Sequence, residues 1–271
     1  MRMMSSNEKI IMEKEKVPVD TIDQDPDIFI PNVSVDCIIL GFHAGSLKVL
    51  LSKFKVSDKW MLPGGFVAKD EDPDESAKRV LREKTGLNDI YLKQFYFFGK
   101  KGRIGLDENV EMLKRSKLNH DKVNWPLDRF ISLGYYALVK YNEVTLQADE
   151  EYEEAAWFDI NQMPELYADH KEIIDTATFT IRRQIGFVPV GYELLPEKFT
   201  MPELRCIYEA ILGRPIDRRN FQRKMLSIGY IQPLNETRKV GAHKSPNLYT
   251  FIKEKYDEAE RFGIQVMSNN F

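Results

Sequence analysis

The stretch that decides the fold is Gly64-Gly65-Phe-Val-Ala-Lys-Asp-Glu71-Asp-Pro-Asp-Glu-Ser-Ala-Lys-Arg79-Val80-Leu81-Arg82-Glu83-Lys84-Thr85-Gly86-Leu87. Pro73, with acidic residues beside it, suits the first turn of a helix, and Gly86 suits the position just after the last turn. We therefore predict a helix from Pro73 or Asp74 to Thr85. Four residues recur at helical spacing and predict one buried stripe, namely Ala77, Val80, Leu81 and Lys84.

The spacing of this stretch resembles the Nudix box, a pyrophosphohydrolase signature. That signature reads Gly, five residues, Glu, seven residues, then Arg-Glu-apolar-x-Glu-Glu-x-Gly-apolar. Seven positions match it, namely Gly65, Glu71, Arg79, Leu81, Glu83, Gly86 and Leu87. The resemblance implies an α/β Nudix sandwich, in which a mixed sheet lies between helices. It also implies that the Gly64-Gly65 turn lets the backbone approach a ligand phosphate closely.

Two box positions depart from the signature. Val80 stands where the family has a Glu, and Lys84 replaces the second Glu of the Glu-Glu pair. In working members these carboxylates share one helix face, where they bind Mg²⁺ or Mn²⁺ so that water can attack a diphosphate. Val cannot ligate a metal, and Lys places a cation where the metal would bind. We therefore expect no metal site, no cofactor and no catalysis, with Glu71, Arg79 and Glu83 as the residual box.

The resemblance also predicts a ligand pocket beside the box. We expect it to be lined by Trp60, Gly64, Gly65, Arg79, Glu83 and Arg129. Residues 100–128 form a long polar insertion, which is typical of a lid, a binding loop or disorder. It carries Trp125, His120 and the basic residues Lys101, Arg103, Lys114, Arg115, Lys117 and Lys122, which would suit an anionic or sugar-like ligand.

The rest of the first domain is predicted to form a sheet, followed by a second helix. Apolar, β-branched and aromatic runs predict strands at 33–42, 47–54, 90–99, 129–141 and 154–160.

Asp169-His170 stands at the start of an amphipathic helix predicted to reach about Ile185. The pair could serve as an acid and a base, but the pattern favours a helix N-cap followed by a surface or hinge histidine.

Length and composition favour two domains in a chain of 271 residues, 43% of them apolar and 30% charged. Cys37 and Cys206 lie far apart in apolar runs and predict small core residues without a disulfide. The N-terminus lacks the apolar core of a signal peptide or membrane span, so we expect a cytoplasmic protein. The predicted units are an N-terminal arm at 1–30, a Nudix-like domain at 31–186, a linker at 187–198, a second domain at 199–256 and a tail at 257–271.

Charge is unevenly distributed along the chain. Residues 199–256 carry 11 Lys plus Arg against 5 acidic residues, a balance of +6 within a total of −3. The remainder therefore carries −9, and this asymmetry suggests that the C-terminal domain meets a polyanion.

Residues 199–256 carry the signals of a winged helix-turn-helix of the α+β class. Thr200 and Glu203 form a capping box before a first helix that Gly213 ends. Asp217 is the candidate N-cap of a second helix, in the order that places this helix in the major groove of DNA. Arg reads guanine there, and Asn or Gln reads adenine. A small dimerisation domain with a charged face is the alternative.

The expected DNA-binding residues fall into two groups. Those of the turn and second helix are Arg214, Arg218, Arg219, Asn220, Gln222, Arg223 and Lys224. Those of the wing, which would contact phosphates, are Arg238, Lys239 and Lys244, with His243 beside them.

Residues 33–256 as a whole resemble the Nudix-related transcriptional regulators. The most specific motif is Arg-Pro-x-Asp-Arg-Arg-Asn-Phe-x-Arg-Lys at 214–224. The resemblance implies a homodimer on a palindromic operator, with a small-molecule effector in the Nudix pocket and no membrane partner. The effector is ADP-ribose in some branches of the family and a sugar such as L-arabinose in others. A Mg²⁺-dependent Nudix hydrolase of the ADP-ribose pyrophosphatase type is the rival, because Glu71 and Glu83 are retained.

Overall fold

The computed structural model describes residues 28–54, 57–88, 91–103, 129–145, 152–186, 190–239 and 245–262. Most of the predicted arm and insertion lies outside these residues, as do His243 and Lys244 of the predicted wing tip. Among the described helices, none is long and apolar enough to cross a membrane.

Within the described residues of the N-terminal half, seven strands form one mixed sheet. They are β1 (Phe29–His43), β2 (Ser46–Phe54), β3 (Trp60–Met61), β4 (Gly64–Ala68), β5 (Tyr91–Phe98), β6 (Ile131–Leu138) and β7 (Tyr152–Asp159). Strand β1 lies at the centre, parallel to β6 and antiparallel to β2 and β4. Strand β5 lies at an edge beside β6, and β7 pairs with β2.

Two helices cover the two faces of this sheet, α1 (Pro73–Thr85) and α2 (His170–Gln184). Because strand side chains alternate between faces, β1 supplies both cores. Val35, Cys37 and Ile39 pack in the core with α1, and Ile38 and Leu40 pack in the core with α2. The predicted sandwich, with a mixed sheet between helices, is confirmed.

Helix α1 has the predicted bounds and the predicted buried face. The carboxylate of Glu75 accepts a hydrogen bond from the Asp72 amide at 2.9 Å, and Gly86 ends the helix with a φ of 73°. The predicted stripe of Ala77, Val80, Leu81 and Lys84 is buried, with 0 to 3% of each residue exposed. Val80 therefore serves packing.

The C-terminal half is a winged helix, as predicted. It comprises β8 (Phe199–Thr200), α3 (Met201–Leu212), α4 (Arg218–Ile228), β9 (Ile231–Thr237), β10 (Asn247–Phe251) and α5 (Lys253–Phe262). Thr200 and Glu203 form the predicted capping box, and Gly213 ends α3 with a φ of 69°. The Asp217 carboxylate caps α4 by accepting a hydrogen bond from the Asn220 amide at 2.8 Å.

Two segments differ from the predicted linker and tail. In the described part of the linker, Val190, Leu194 and Leu195 are buried in the core shared with α2 and α3. Helix α5 continues past Tyr256, the predicted end of the second domain, into residues assigned to the tail, and the Tyr256 hydroxyl donates to Glu193 at 2.7 Å. Gly and Pro signalled turns here but carried no information on burial.

Candidate functional site

The residual box forms a tie between the β4–α1 loop and helix α1. The Arg79 guanidinium donates to both carboxylate oxygens of Glu71, at 3.1 Å from Nε and 2.6 Å from Nη2. Arg79 Nη2 also donates to the Phe66 carbonyl at 2.9 Å. Glu71 accepts a further bond from the Ala68 amide at 2.9 Å. These bonds fix the path of the loop as it enters α1.

The electrostatics of this tie favour the charged forms of both groups. Burial acts to raise the pKa of the Glu71 carboxyl, but hydrogen bonds from Arg79 and the Ala68 amide outweigh burial and lower this pKa. Burial acts to lower the pKa of Arg79, yet its bonds and attraction to Glu71 raise it. Glu71 is therefore ionised and engaged at neutral pH.

The box does not fit the divalent metal that working Nudix enzymes bind. Val80 and Lys84 occupy the two altered positions with 1% and 3% of their surface exposed. The carboxylate of Glu83 lies 3.9 Å from Arg79 Nη1. Within the described residues, no group of three or more His, Cys, Asp or Glu side chains is arranged to hold a metal ion.

Replacing Glu71 with Gln is expected to lower the free energy of unfolding by about 1–3 kcal/mol at pH 7, because Arg79 loses its charged acceptor. The lowered pKa of Glu71 means that its stabilisation is complete above the unfolded-state pKa and is lost as pH falls through the folded-state value. The difference in free energy of unfolding between wild type and variant should therefore decrease on acidification below about pH 4.5. Urea unfolding monitored by circular dichroism from pH 7 to pH 3 measures it, and a gap independent of pH would contradict the assignment.

A second cluster, which the sequence did not predict, lies on the face of the sheet that α2 covers. We call it the Arg103 cluster; its members are Asp36, Arg103, Ser132, Asp169 and His170. Arg103 donates to Asp169 from Nε at 2.8 Å and from Nη2 at 2.9 Å. Nη2 also reaches Asp36 at 3.4 Å, and the Ser132 hydroxyl donates to Asp36.

The cluster is largely buried. The side chains of Arg103, Asp36 and Asp169 are 4%, 11% and 11% exposed. Burial acts to lower the pKa of Arg103, but the hydrogen bonds and charges of Asp169 and Asp36 outweigh burial and raise it. Two carboxylates thus share one guanidinium in a setting where an unpaired charge is costly.

The expectation of a surface or hinge histidine at position 170 was wrong. His170 is 8% exposed, and its Nδ1 accepts a hydrogen bond from the Leu62 amide at 2.9 Å, while Nε2 lies 4.0 Å from Asp36. The Asp169 side chain does not cap α2, since it pairs with Arg103 instead. The ion pair with Arg103, 66 residues away in sequence, therefore replaces the local helix cap that the sequence predicted.

Gly64 and Gly65, which the sequence predicted as a turn, instead begin strand β4, and Gly64 lies directly against this cluster. Gly64 pairs in register with Asp36, and a Cβ placed on Gly64 would lie 2.8 Å from the Val35 carbonyl and 3.0 Å from the Asp36 carboxylate. Glycine is required there by close approach. The one signal for the cluster in the sequence was Asp36 itself, a carboxylate inside an apolar strand, which needs a partner when buried.

The other predicted pocket residues lie in different surroundings. Trp60 is half-buried, packs edge-on against Phe158 at 4.6 Å between ring centroids, and exchanges backbone hydrogen bonds with residues 165 and 167. Arg129 is exposed and donates to the Gly99 carbonyl, at the end of β5. The structure thus places Gly64 against the Arg103 cluster and Arg79 with Glu83 on α1.

Helix α4 presents the predicted DNA-reading residues outward. Phe221 and Met225 are fully buried, whereas Arg218, Arg219, Asn220 and Arg223 are exposed. Arg214 is exposed in the preceding turn, and Gln222 and Lys224 are half-buried. Arg223 donates to the Asn220 side chain at 2.8 Å, and Gln222 donates to the Tyr249 hydroxyl at 3.4 Å. These two bonds orient the polar face of α4.

The wing is tied to the body of the winged helix at its base. Arg238 donates to the Glu203 carboxylate at 2.7 Å and to the Lys198 carbonyl at 2.5 Å. Lys239 is exposed, and Lys244 lies outside the described residues. Arg238 therefore positions the wing, a role that its charge alone did not predict.

An α/β/α sandwich with a depleted Nudix box, followed by a basic winged helix, defines a Nudix-related DNA-binding regulator. Residues 31–177 match the NUDIX domain model, and residues 191–251 match that of the NrtR DNA-binding winged helix domain. The chain belongs to the NUDIX family, in the branch that carries this winged helix.

Individual relatives share the two-domain organisation. The chain is 27% identical over 234 residues to the ADPR responsive transcriptional repressor NtrR of Acinetobacter baylyi, covering 84% of each chain. It is similar to the crystal structure of Shewanella oneidensis NrtR with a 27mer DNA, with a TM-score of 0.65 and 25% identity over 83% of this chain and 95% of that one. A MutT/nudix family protein from Enterococcus faecalis shares the fold at a TM-score of 0.61 and 23% identity, over 82% and 86% of the two chains.

Proposed function

We propose that this protein is an ADP-ribose-responsive transcriptional repressor, in which the Nudix domain binds the effector without hydrolysing it. The observation that carries the proposal is the packing of Val80 and Lys84 into the core at positions where a hydrolase needs metal-binding carboxylates. The Acinetobacter relative, which bears an ADP-ribose-responsive name, supports the effector. Nothing in the comparisons supports L-arabinose.

In this proposal α4 enters the major groove of the operator. Arg218, Arg219 and Asn220 would reach base edges or phosphates near the N-terminus of α4, where they are exposed. Lys239 would contact phosphate from the wing, while Arg238 holds the wing through Glu203. The remainder of the chain has a net charge of −9, and electrostatic repulsion from the DNA phosphates would keep it away from the duplex.

We also propose that the protein acts as a cytoplasmic homodimer. A two-fold symmetric pair of winged helices matches a palindromic operator with half-sites one helical turn apart, about 34–36 Å. The 27mer bound by the Shewanella protein is long enough for two such half-sites. The proposal requires two chains per operator.

Specific binding to DNA from the protein's own upstream region is expected, with two chains per duplex, and ADP-ribose should weaken it at least about tenfold. Fluorescence anisotropy at moderate salt measures this, because nonspecific phosphate contacts are already weakened there. Ribose, L-arabinose and AMP serve as matched controls and should leave the affinity within about twofold. Absence of specific binding would contradict the regulator.

The rival hydrolase is tested in the same preparation. Conversion of ADP-ribose to AMP and ribose 5-phosphate with Mg²⁺, abolished by Glu83→Gln, would establish turnover and overturn binding without hydrolysis. Recovery of intact ADP-ribose after the anisotropy titration would support a sensor.

A further inference from the structure

Helix α2 joins the Arg103 cluster to the DNA-binding domain. Its N-terminal end carries Asp169 and His170 of the cluster, and Arg182 lies in its last turn. Arg182 Nε donates to the Ile211 carbonyl at 2.5 Å, at the C-terminal end of α3. Asp169 and Arg182 are 13 positions apart, so α2 spans about 20 Å between these two contacts.

The inner face of α2 is packed tightly enough for the helix to move as a unit. Ile173, Ile174, Ala177 and Ile181 are at most 3% exposed and belong to the core cluster that also contains Leu204, Ile207 and Ile211 of α3. Packed interfaces of this kind shift between discrete arrangements instead of deforming continuously. A displacement at one end of α2 is therefore carried to the other end.

The turn between α3 and α4 is held by hydrogen bonds and leads directly to α4. The Glu209 carboxylate accepts from the Ile216 amide at 2.8 Å, and Arg205 donates to the same carboxylate at 2.5 Å and to the Ile216 carbonyl at 3.4 Å. Ile216 itself is buried. The position of the Ile211 carbonyl is thereby tied to the position of the exposed face of α4.

At the other end of α2, Arg103 carries the charge that an added anion would engage. Arg103 is shared between Asp169 and Asp36, and Asp36 pairs with Gly64 of strand β4. A phosphate binds a guanidinium through paired hydrogen bonds, as a carboxylate does, and competes with both aspartates. When Arg103 turns toward a phosphate, the buried Asp169 loses its bidentate partner, and movement of the N-terminal end of α2 restores its hydration.

We propose that the Arg103 cluster is a latch that an organic diphosphate releases, and that α2 transmits the release to the recognition helix through the Arg182–Ile211 bond. This inference rests on the proposed function for the identity of the ligand. A ligand shifts an equilibrium between two states only if it binds one of them more tightly. In this scheme the two states are the latched and the released cluster, and the contacts at the two ends of α2 differ between them. Arg103 and Arg182 are positioning residues in this scheme.

A double-mutant cycle on DNA affinity, without any effector, tests the latch. Asp169→Asn weakens the latch and is expected to reduce operator affinity about 5- to 10-fold, in the range of typical couplings between sites. Arg182→Met keeps the apolar stem of Arg182 and removes its donor. In the Arg182→Met background, Asp169→Asn should change affinity by less than about twofold. Equal changes in both backgrounds would overturn the relay.

Control variants on the same helix separate the relay from general effects. Glu172→Gln and Arg183→Met make the same kinds of change at exposed positions of α2, and each should leave operator affinity within about twofold. Circular dichroism melts report folding. If Asp169→Asn does not fold, Arg103→Lys takes its place in the cycle, because it keeps the charge and loses the bidentate geometry.

ADP-ribose itself gives a second readout. In Arg182→Met, calorimetry should show ADP-ribose affinity within about twofold of wild type, while the ratio of operator affinities without and with ADP-ribose falls from at least about 10 towards 1. An unchanged ratio would overturn the relay. If wild type binds its operator but not ADP-ribose, the proposed effector fails while the effector-free cycle still decides the latch. If wild type binds no operator, both proposals fail.

Discussion

Replacing Arg219 with Ala is expected to weaken operator binding about 10- to 100-fold, which corresponds to the roughly 1–3 kcal/mol of one bidentate base contact. Arg219 is exposed near the N-terminus of α4, the part of a recognition helix that meets base edges. The loss should be larger on the operator than on unrelated DNA. Anisotropy titrations on both duplexes at fixed salt measure the difference.

The matched control is Arg183→Ala, which removes an exposed arginine from α2, outside the winged helix. It should leave operator affinity within about twofold, because it removes one positive charge away from the proposed DNA surface. Equal affinities for wild type and Arg219→Ala would show that α4 does not read the operator, and would favour a dimerisation domain. A uniform loss on both duplexes would reassign Arg219 to a phosphate.

Replacing Phe221 with Ala is expected to lower the free energy of unfolding by about 3–5 kcal/mol, as for other large buried aromatic residues. Phe221 is fully buried and packs edge-on against Tyr208, with 5.2 Å between ring centroids. The cavity would lie between α3 and α4, under the DNA-reading face. Urea unfolding measured by tryptophan fluorescence and circular dichroism gives the value.

Ser227→Ala is the control on the same helix, since Ser227 is exposed and its hydroxyl donates to the Lys224 carbonyl one turn earlier. Its effect should stay within about 0.5 kcal/mol. If Phe221→Ala lowers the free energy of unfolding as little as Ser227→Ala does, Phe221 does not pack α4 onto α3. The two changes in free energy of unfolding also give the fraction of Phe221→Ala that is unfolded, and hence the part of its loss of DNA affinity that unfolding alone explains.

Local signals allowed the sequence to predict helices α1, α3 and α4. Pro73 with its acidic neighbours, the Thr200–Glu203 capping box and Asp217 act within one turn of chain, so their outcome depends on few other residues. The buried stripe of α1 was predicted by the same logic, because helical periodicity is read from neighbours three and four positions apart.

The Arg103 cluster could not be predicted in this way. Arg103 lies 67 residues from Asp36 and 66 from Asp169, and their meeting depends on the register of the sheet and the placement of α2. The same dependence explains His170, which local pattern assigned to the surface. Helix α5 was not predicted because its buried face consists of Tyr256 and Ala259. Two apolar residues among many charged ones do not give a recognisable helical pattern.

The core that spans both halves has a consequence for how such proteins diversify. One apolar cluster includes Ile38 of the sheet, Ile181 of α2, Leu194 of the connecting segment, Leu204 of α3 and Tyr256 of α5. A winged helix transplanted without this shared face would expose apolar surface on both fragments. A winged helix joined to another Nudix domain would therefore also need a matching apolar face. New operator specificities should be easier to obtain by changing the exposed residues of α4 than by exchanging whole domains.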